Sequence, residues 1–191
     1  MPRKNEIDML HGPLLAKIII FAMPLAASSI LQQLFNSVDV AVVGRFDSSY
    51  ALAAVGSNGP VISLLINLFL GISMGANVVI SNHIGQKDNN LTKYAIRTTA
   101  ATALFSGLAL AVIGVLAARP ILTIMGTPTE VLDMAVRYLR IYFIGTPFLL
   151  IYNFGSAILR SKGDTSRPLY ILVIAGIINT VLNLILVIVF H

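Results

Sequence analysis

Apolar residues fall in five long blocks along the chain, separated by short polar segments. The blocks run from about 14 to 43, 51 to 84, 91 to 118, 128 to 159 and 169 to 190. A helix of about 20 apolar residues crosses the hydrocarbon of a bilayer. Every block reaches that length, so the pattern predicts an all-α membrane protein with five transmembrane helices. Several blocks are longer than a span needs, which predicts tilt or extension beyond the lipid. Residues 1–12 read as a short cytoplasmic segment and 13–191 as one transmembrane helical domain. The connections GRFDSSY, GQKDNN, Arg119 to Thr127 and RSKGDTSRP are short. Short links make successive helices antiparallel neighbours.

Local signals refine this outline. Arg3 and Lys4 precede the first block, and Ala26-Ala27-Ser28 resembles a signal-peptidase site. The apolar run continues well past it, whereas a signal core is roughly 7 to 15 residues long, so the block reads as a retained span. Pro13 suits the first turn of the first helix. Thr127 and Glu130 predict a capping box for the fourth, with Pro128 at the first helical position. Arg137 and Arg140 follow, so this helix is expected to enter the lipid near Ile141. Pro24 and Pro147 lie inside spans, where each removes a backbone donor and can kink its helix. Gly71 and Gly75 form a G-x-x-x-G that permits close approach of another helix.

Composition agrees with the pattern. The chain is 57% hydrophobic and 11% charged, whereas soluble domains are about a quarter charged. The net charge of +5 does not form one basic patch, which argues against nucleic acid as a partner. With the N-terminus inside, nine basic residues fall on the inner side: Arg3, Lys4, Lys17, Lys87, Lys93, Arg97, Arg160, Lys162 and Arg167. Four fall outside: Arg45, Arg119, Arg137 and Arg140. The excess of Lys and Arg on cytoplasmic loops then predicts a cytoplasmic N-terminus and an external C-terminus. There is no cysteine, hence no disulfide and no thiolate site. No G-x-x-x-x-G-K-[ST], H-E-x-x-H or G-x-S-x-G occurs, and no second intramembrane acid could pair with Asp39 for hydrolysis. An enzyme is therefore not expected.

Asp39 is the one acid in the interior of a block. Ser29, Gln32, Asn36 and Asp39 are spaced by 3, 4 and 3 residues, which places them on one helix face. Lipid cannot solvate that face, so it must look into protein or water. Two readings stand. Asp39 either lies near the interface and pairs locally, for instance with Arg45, or it is a proton or cation site. In the fifth block Asn179 and Asn183 share a face with Gly176. Asparagines there are either interhelical glue or ligands for a small cation and hydrogen-bond partners for a carboxyl. The second block carries Ser63, Asn67, Met74, Asn77 and Ser81 on one side, and with Phe69 these either pack or line a cavity. Tyr138 and Tyr142 fit an interfacial aromatic belt. Tyr152 and Asn153 lie deeper and are better cavity candidates. His11, His83 and His191 lie near predicted membrane edges with no metal-ligand spacing.

Three stretches resemble one family. PLAASSILQQLFNSVDVAVVGRF, with its early proline and V-D-x-x-x-x-G, is similar to the first helix of the multidrug and toxic compound extrusion (MATE) transporters. SNHIGQKDNNLTKYAIRT is similar to their turn between helices two and three. AILRSKGDTSRPLY is similar to their L-R-x-x-G-D-T-x-x-P turn between helices four and five. The resemblance implies a fold of twelve helices in two six-helix lobes, and secondary efflux of organic, often cationic, drug-like compounds across the cell membrane. The antiported ion would be H⁺ or Na⁺, with no other cofactor. Asp39 matches the acid of helix one that carries the coupling ion, and Pro24 matches the proline where that helix bends. Asn179 matches the asparagine of helix five. Four residues later the family often has aspartate, and this chain has Asn183, which favours H⁺, or a weaker cation site, over a strong Na⁺ site at Asp39 and Asn179. Gln32, Asn36, Asn67, Met74, Tyr152 and Asn153 are the candidates for a substrate cavity.

Five spans leave the sixth helix and the second lobe unaccounted for, so the expected partner is a C-terminal lobe in the same longer chain. A flippase for a lipid-linked precursor, on a related plan, would need Lys or Arg inside the spans to neutralise pyrophosphate, and none is central. A non-transporting assembly partner is the third reading. The topology has a direct check. Cysteines replacing Lys87 and Lys162 should react with an impermeant thiol reagent only from the cytoplasmic side, and one replacing Ser48 only from outside. Labelling of Lys162→Cys from outside intact cells would overturn the five-span arrangement.

Overall fold

The computed structural model describes residues 14–46 and 48–187. Arg3, Lys4, His11, His191 and the end of the fifth block lie outside the described residues. Five α-helices follow in order: α1 Leu14–Phe46, α2 Ser49–Gly85, α3 Asn89–Ile124, α4 Thr129–Ser161 and α5 Ser166–Ile185. All five are long and apolar enough to cross a membrane. α2 has 37 residues, about 55 Å of helix at 1.5 Å per residue, against about 30 Å of hydrocarbon.

Two boundaries differ from the sequence reading. The third helix does not stop at Ala118 but continues through Pro120 to Ile124. Proline removes only the N–H that would bond the Leu116 carbonyl. That local loss is outweighed because Ala118 and Leu122 are fully buried in the core. The capping box at the start of α4 does not form. Pro128 occupies the cap position with no side-chain hydrogen bond, and Thr127 lies one residue too early. The Val131 N–H instead donates to the Pro128 carbonyl at 3.1 Å. Elsewhere side-chain caps do form. Asp88 accepts from the N–H groups of Asn90 and Leu91, and Ser48 from that of Ala51.

Helices α2, α3 and α4 end alike. The N–H of Asp88 reaches back to the His83 carbonyl, that of Thr127 to Leu122, and that of Asp164 to Leu159, each at 3.1 Å. These are Schellman endings, which need a left-handed residue just before the donor. Gly126 (φ 75°) and Gly163 (φ 80°) fill that position without strain, whereas at the end of α2 it is Lys87 (φ 57°).

The centre of the lobe is α4, packed on α2 and α3. Ala118 and Leu122 of α3 meet Val131, Ala135, Val136, Leu139 and Phe143 of α4, with Ala54 of α2. Between helices in lipid the driving force is close packing, so small residues matter. A Cβ at Gly107 would come within 2.7 Å of the Pro147 Cα, and one at Gly114 would overlap the Phe143 ring. Asn58 donates to the Ala135 carbonyl at 3.1 Å and Asn77 to the Ala157 carbonyl at 2.9 Å. These bonds fix α2 and α4 in the same direction. α1 and α5 pack on each other and touch the rest at few places. A Cβ added at Gly71 or Gly75 would meet no other helix within 4 Å, so the G-x-x-x-G of α2 is open among the described residues.

The left-handed residue at the end of α2 yields a stability prediction. Lys87→Gly should stabilise the fold by about 1 kcal/mol, since a non-glycine residue in that region costs roughly 1–2 kcal/mol. Gly163→Ala should destabilise it by a similar amount. Thermal unfolding of the detergent-solubilised protein measures both, and a lower melting temperature for Lys87→Gly would contradict the assignment.

A carboxylate held by two amides between α1 and α5

Asp39 lies in the last third of α1, half-buried against α5. Asn183 donates its side-chain N–H to Asp39 Oδ1 at 2.6 Å. The Asn179 amide sits 3.1 Å from both Asp39 oxygens. Two carboxylate oxygens can only accept, so the group that faces them is the amide nitrogen. The carboxylate thus receives N–H groups from two side chains one helical turn apart. Hydrogen bonds to a charged group are short and strong, and here they stand in for the water a carboxylate would otherwise need.

One turn away Gly176 receives the ring of Phe35, and any side chain at 176 would overlap it. This contact lets α1 and α5 come close enough for amide and carboxylate to meet. Arg45 forms no ion pair with Asp39 among the described residues, so the local pairing weighed from the sequence is not what holds the acid. From α4, Tyr138 lies within Coulombic range of Asp39. It was expected only in an aromatic belt.

The donor geometry bears on which ion fits. Both amides present N–H groups, and a cation at Asp39 and Asn179 would require Asn179 to rotate and offer its oxygen instead. Among the described residues no group of three or more His, Asp or Glu side chains could hold a metal.

The remaining candidates do not share one pocket. Gln32 is half-buried, while Asn36, Asn67 and Met74 are exposed on the surface of the lobe. Ser29 turns its hydroxyl onto the Leu25 carbonyl at 3.2 Å, and Asn77 serves the α2–α4 contact. Asn153 is buried beside Phe69, Tyr142 and Leu150, next to a void of about 10 Å³. That is room for one water at most. Tyr152 donates its hydroxyl to the Pro168 carbonyl at 3.2 Å. Pro24 is accommodated within a continuous α1, with the Ser28 hydroxyl on its carbonyl at 2.7 Å. Asn58, fully buried, was not singled out from the sequence, although an asparagine between two apolar turns was signal enough.

A family model described as MatE matches residues 24–185. The chain belongs to the MatE family. Over 163 residues it is 36% identical to the probable multidrug resistance protein YoeA of Bacillus subtilis, covering 85% of this chain and 35% of that one. A second relative from the same organism, the probable multidrug resistance protein YpnP, is 29% identical over 92% of this chain and 39% of its own length. The structure is similar to an outward-facing multidrug resistance MATE family transporter, with a TM-score of 0.85 and 25% identity, covering 97% of this chain and 40% of that one. It is similar to a MATE in its bent conformation with a TM-score of 0.83 and 26% identity, over 90% and 38% of the two chains. The chain therefore spans about two-fifths of these relatives and corresponds to their N-terminal lobe.

The amide clamp predicts an energetic coupling between α1 and α5. In a double-mutant cycle of Asp39→Leu and Asn183→Leu, the coupling in unfolding free energy should be about 1–3 kcal/mol. Additive effects of the two substitutions would show that the 2.6 Å contact contributes nothing to the pairing.

Proposed function

We propose that this chain is the N-terminal lobe of a secondary transporter that expels organic, often cationic, drug-like compounds by antiport. The observation that carries the reading is Asp39, a lone carboxylate inside a span, held by Asn179 and Asn183. The multidrug names of the relatives support the substrate class. The transporter sits in the plasma membrane with its N-terminus, residues 1–12, in the cytoplasm, as the basic residues favour. A second lobe supplies the other half of the drug path, because alternating access moves one repeat against another around a shared site. The exposed polar positions Asn36 and Asn67, with Met74 and the half-buried Gln32, then belong to the face that looks toward that path.

The coupling ion is H⁺ in this reading. With Asn183 in place of a second acid, the site carries one formal negative charge, and a proton cancels it. Protonation also converts one Asp39 oxygen from acceptor to donor. With the proton on Oδ2, Oδ1 still accepts from Asn183, but the bond from Asn179 to Oδ2 is lost, the remaining bonds no longer run to a charged group, and Asn179 can rotate to offer its oxygen to the new O–H. Loading the proton from outside thereby loosens the α1–α5 contact, and returning it inside restores that contact. For transport this change must alter the affinity for drug by linkage between the two sites.

The test uses the full transporter in vesicles under imposed gradients. Asp39→Asn keeps the size of the side chain and removes the titrating group. Gradient-driven efflux should collapse while protein level and drug binding persist, and wild-type exchange should follow the pH gradient more than a sodium gradient. Full activity in the mutant would refute the role of Asp39. Strict sodium dependence in the wild type would refute only the choice of ion.

A further inference from the structure

The other cluster of polar groups lies at the opposite end of the lobe, where α2 and α4 end and α5 begins. The bond from Asn77 to the Ala157 carbonyl sets these two helices level there. Four polar atoms at this end are buried without a hydrogen-bond partner: Arg160 Nε, His83 Nδ1, Thr165 Oγ1 and Asp164 Oδ2, the last still within ion-pair distance of Arg167. Thr165 is 2% exposed and caps nothing, because Asp164 takes the capping role by accepting from the Arg167 N–H at 3.1 Å. Asp164 is the buried acid of the turn, and its charge is already matched by the Arg167 guanidinium at 3.0 Å. Asp88 is engaged at the start of α3.

Arg160 is therefore a half-buried guanidinium whose Nε lacks an acceptor and which pairs with no acid among the described residues. Other arginines of the bundle do better. Arg119 pairs with Asp133 at 3.2 Å, and Arg140 donates to the Val115 carbonyl at 3.2 Å. Leaving buried guanidinium donors unmade is costly. The surroundings suit an anion: Lys87 and Lys162 are exposed at the same end. α4 and α5 touch at few places, with the Tyr152 hydroxyl bridging to Pro168 between them.

We propose that Arg160 seats a phosphate group at the seam between the α4 end and the α5 start, and that the phosphate is the headgroup of an anionic phospholipid. Arginine offers a planar fork that takes two phosphate oxygens at once. Lys87 and Lys162, both exposed, add charge at the rim. The position favours lipid over a dissolved anion. The site lies where two membrane-length helices, α4 and α5, meet at their ends, and basic pockets between spans bind such headgroups. This inference is independent of the efflux reading and of Asp39.

The test is native mass spectrometry of the full transporter released from nanodiscs of phosphatidylcholine with and without phosphatidylglycerol. Wild type should retain phosphatidylglycerol. Arg160→Gln should lower that retention about tenfold or more, and Arg160→Lys, which keeps charge but loses the fork, should lower it less. Arg119→Gln, an exposed arginine at the opposite end of the bundle, should leave it within about twofold. Equal retention in wild type and Arg160→Gln would overturn the proposal. Should Arg160→Gln fail to fold, Arg160→Lys decides: unchanged retention would overturn it equally. Displacement of the lipid by added inorganic phosphate at the same Arg160-dependent site would assign the seat to free phosphate and refute the lipid.

Discussion

A carboxylate inside a membrane span has to be solvated by protein, and the arrangement of α1 and α5 follows from that requirement. Asp39 is met by two amides from one face of α5 rather than by a cation. Amides carry no charge of their own, so they solvate the carboxylate without forming an ion pair. The glycine at 176 and the ring of Phe35 serve the same end by setting how closely the two helices lie.

The rest of the lobe is built differently. α2, α3 and α4 interlock through glycines on α3 and buried side chains on α4. Their polar contacts run from side chain to backbone, with Asn58 and Asn77 reaching carbonyls of α4. A carbonyl cannot titrate, so these contacts persist whatever the protonation of the lobe. The α1–α5 contact instead joins a carboxylate to two side-chain amides. The molecule thus combines a part held by packing and backbone carbonyls with a pair of helices held by side-chain bonds, and few contacts cross between the two.

Much of this was legible in the sequence for physical reasons. Length and apolarity are what a bilayer demands, so the five helices appear directly as five blocks. Asp39, Asn179 and Asn183 stood out because each is expensive in lipid, and their helical spacing gave the face. Which of them would meet could not be read from spacing, since the contact joins residues far apart in the chain. The third block was ended at Ala118, where the continuous apolar run meets Arg119, whereas buried Leu122 carries the helix on through Pro120 to Ile124. The capping box failed because its geometry needs threonine at the cap, and proline holds that position. Asn153 was expected in a cavity, but burial on α4 depends on how close α2 comes, which the glycine and asparagine contacts decide.

The two asparagine bonds between α2 and α4 have one more consequence. They join the helices at residues 58 and 135 near one membrane face and at 77 and 157 toward the other. That is about 29 Å of one helix and 33 Å of its neighbour at 1.5 Å per residue, close to the whole hydrocarbon thickness. Two rivets set so far apart stop both sliding and pivoting. A one-turn slip would strip both bonds at once, and a rotation about either would tear the other. The α2–α4 pair is thereby a stiff beam, and a displacement imposed at one side of the bilayer reaches the other undiminished.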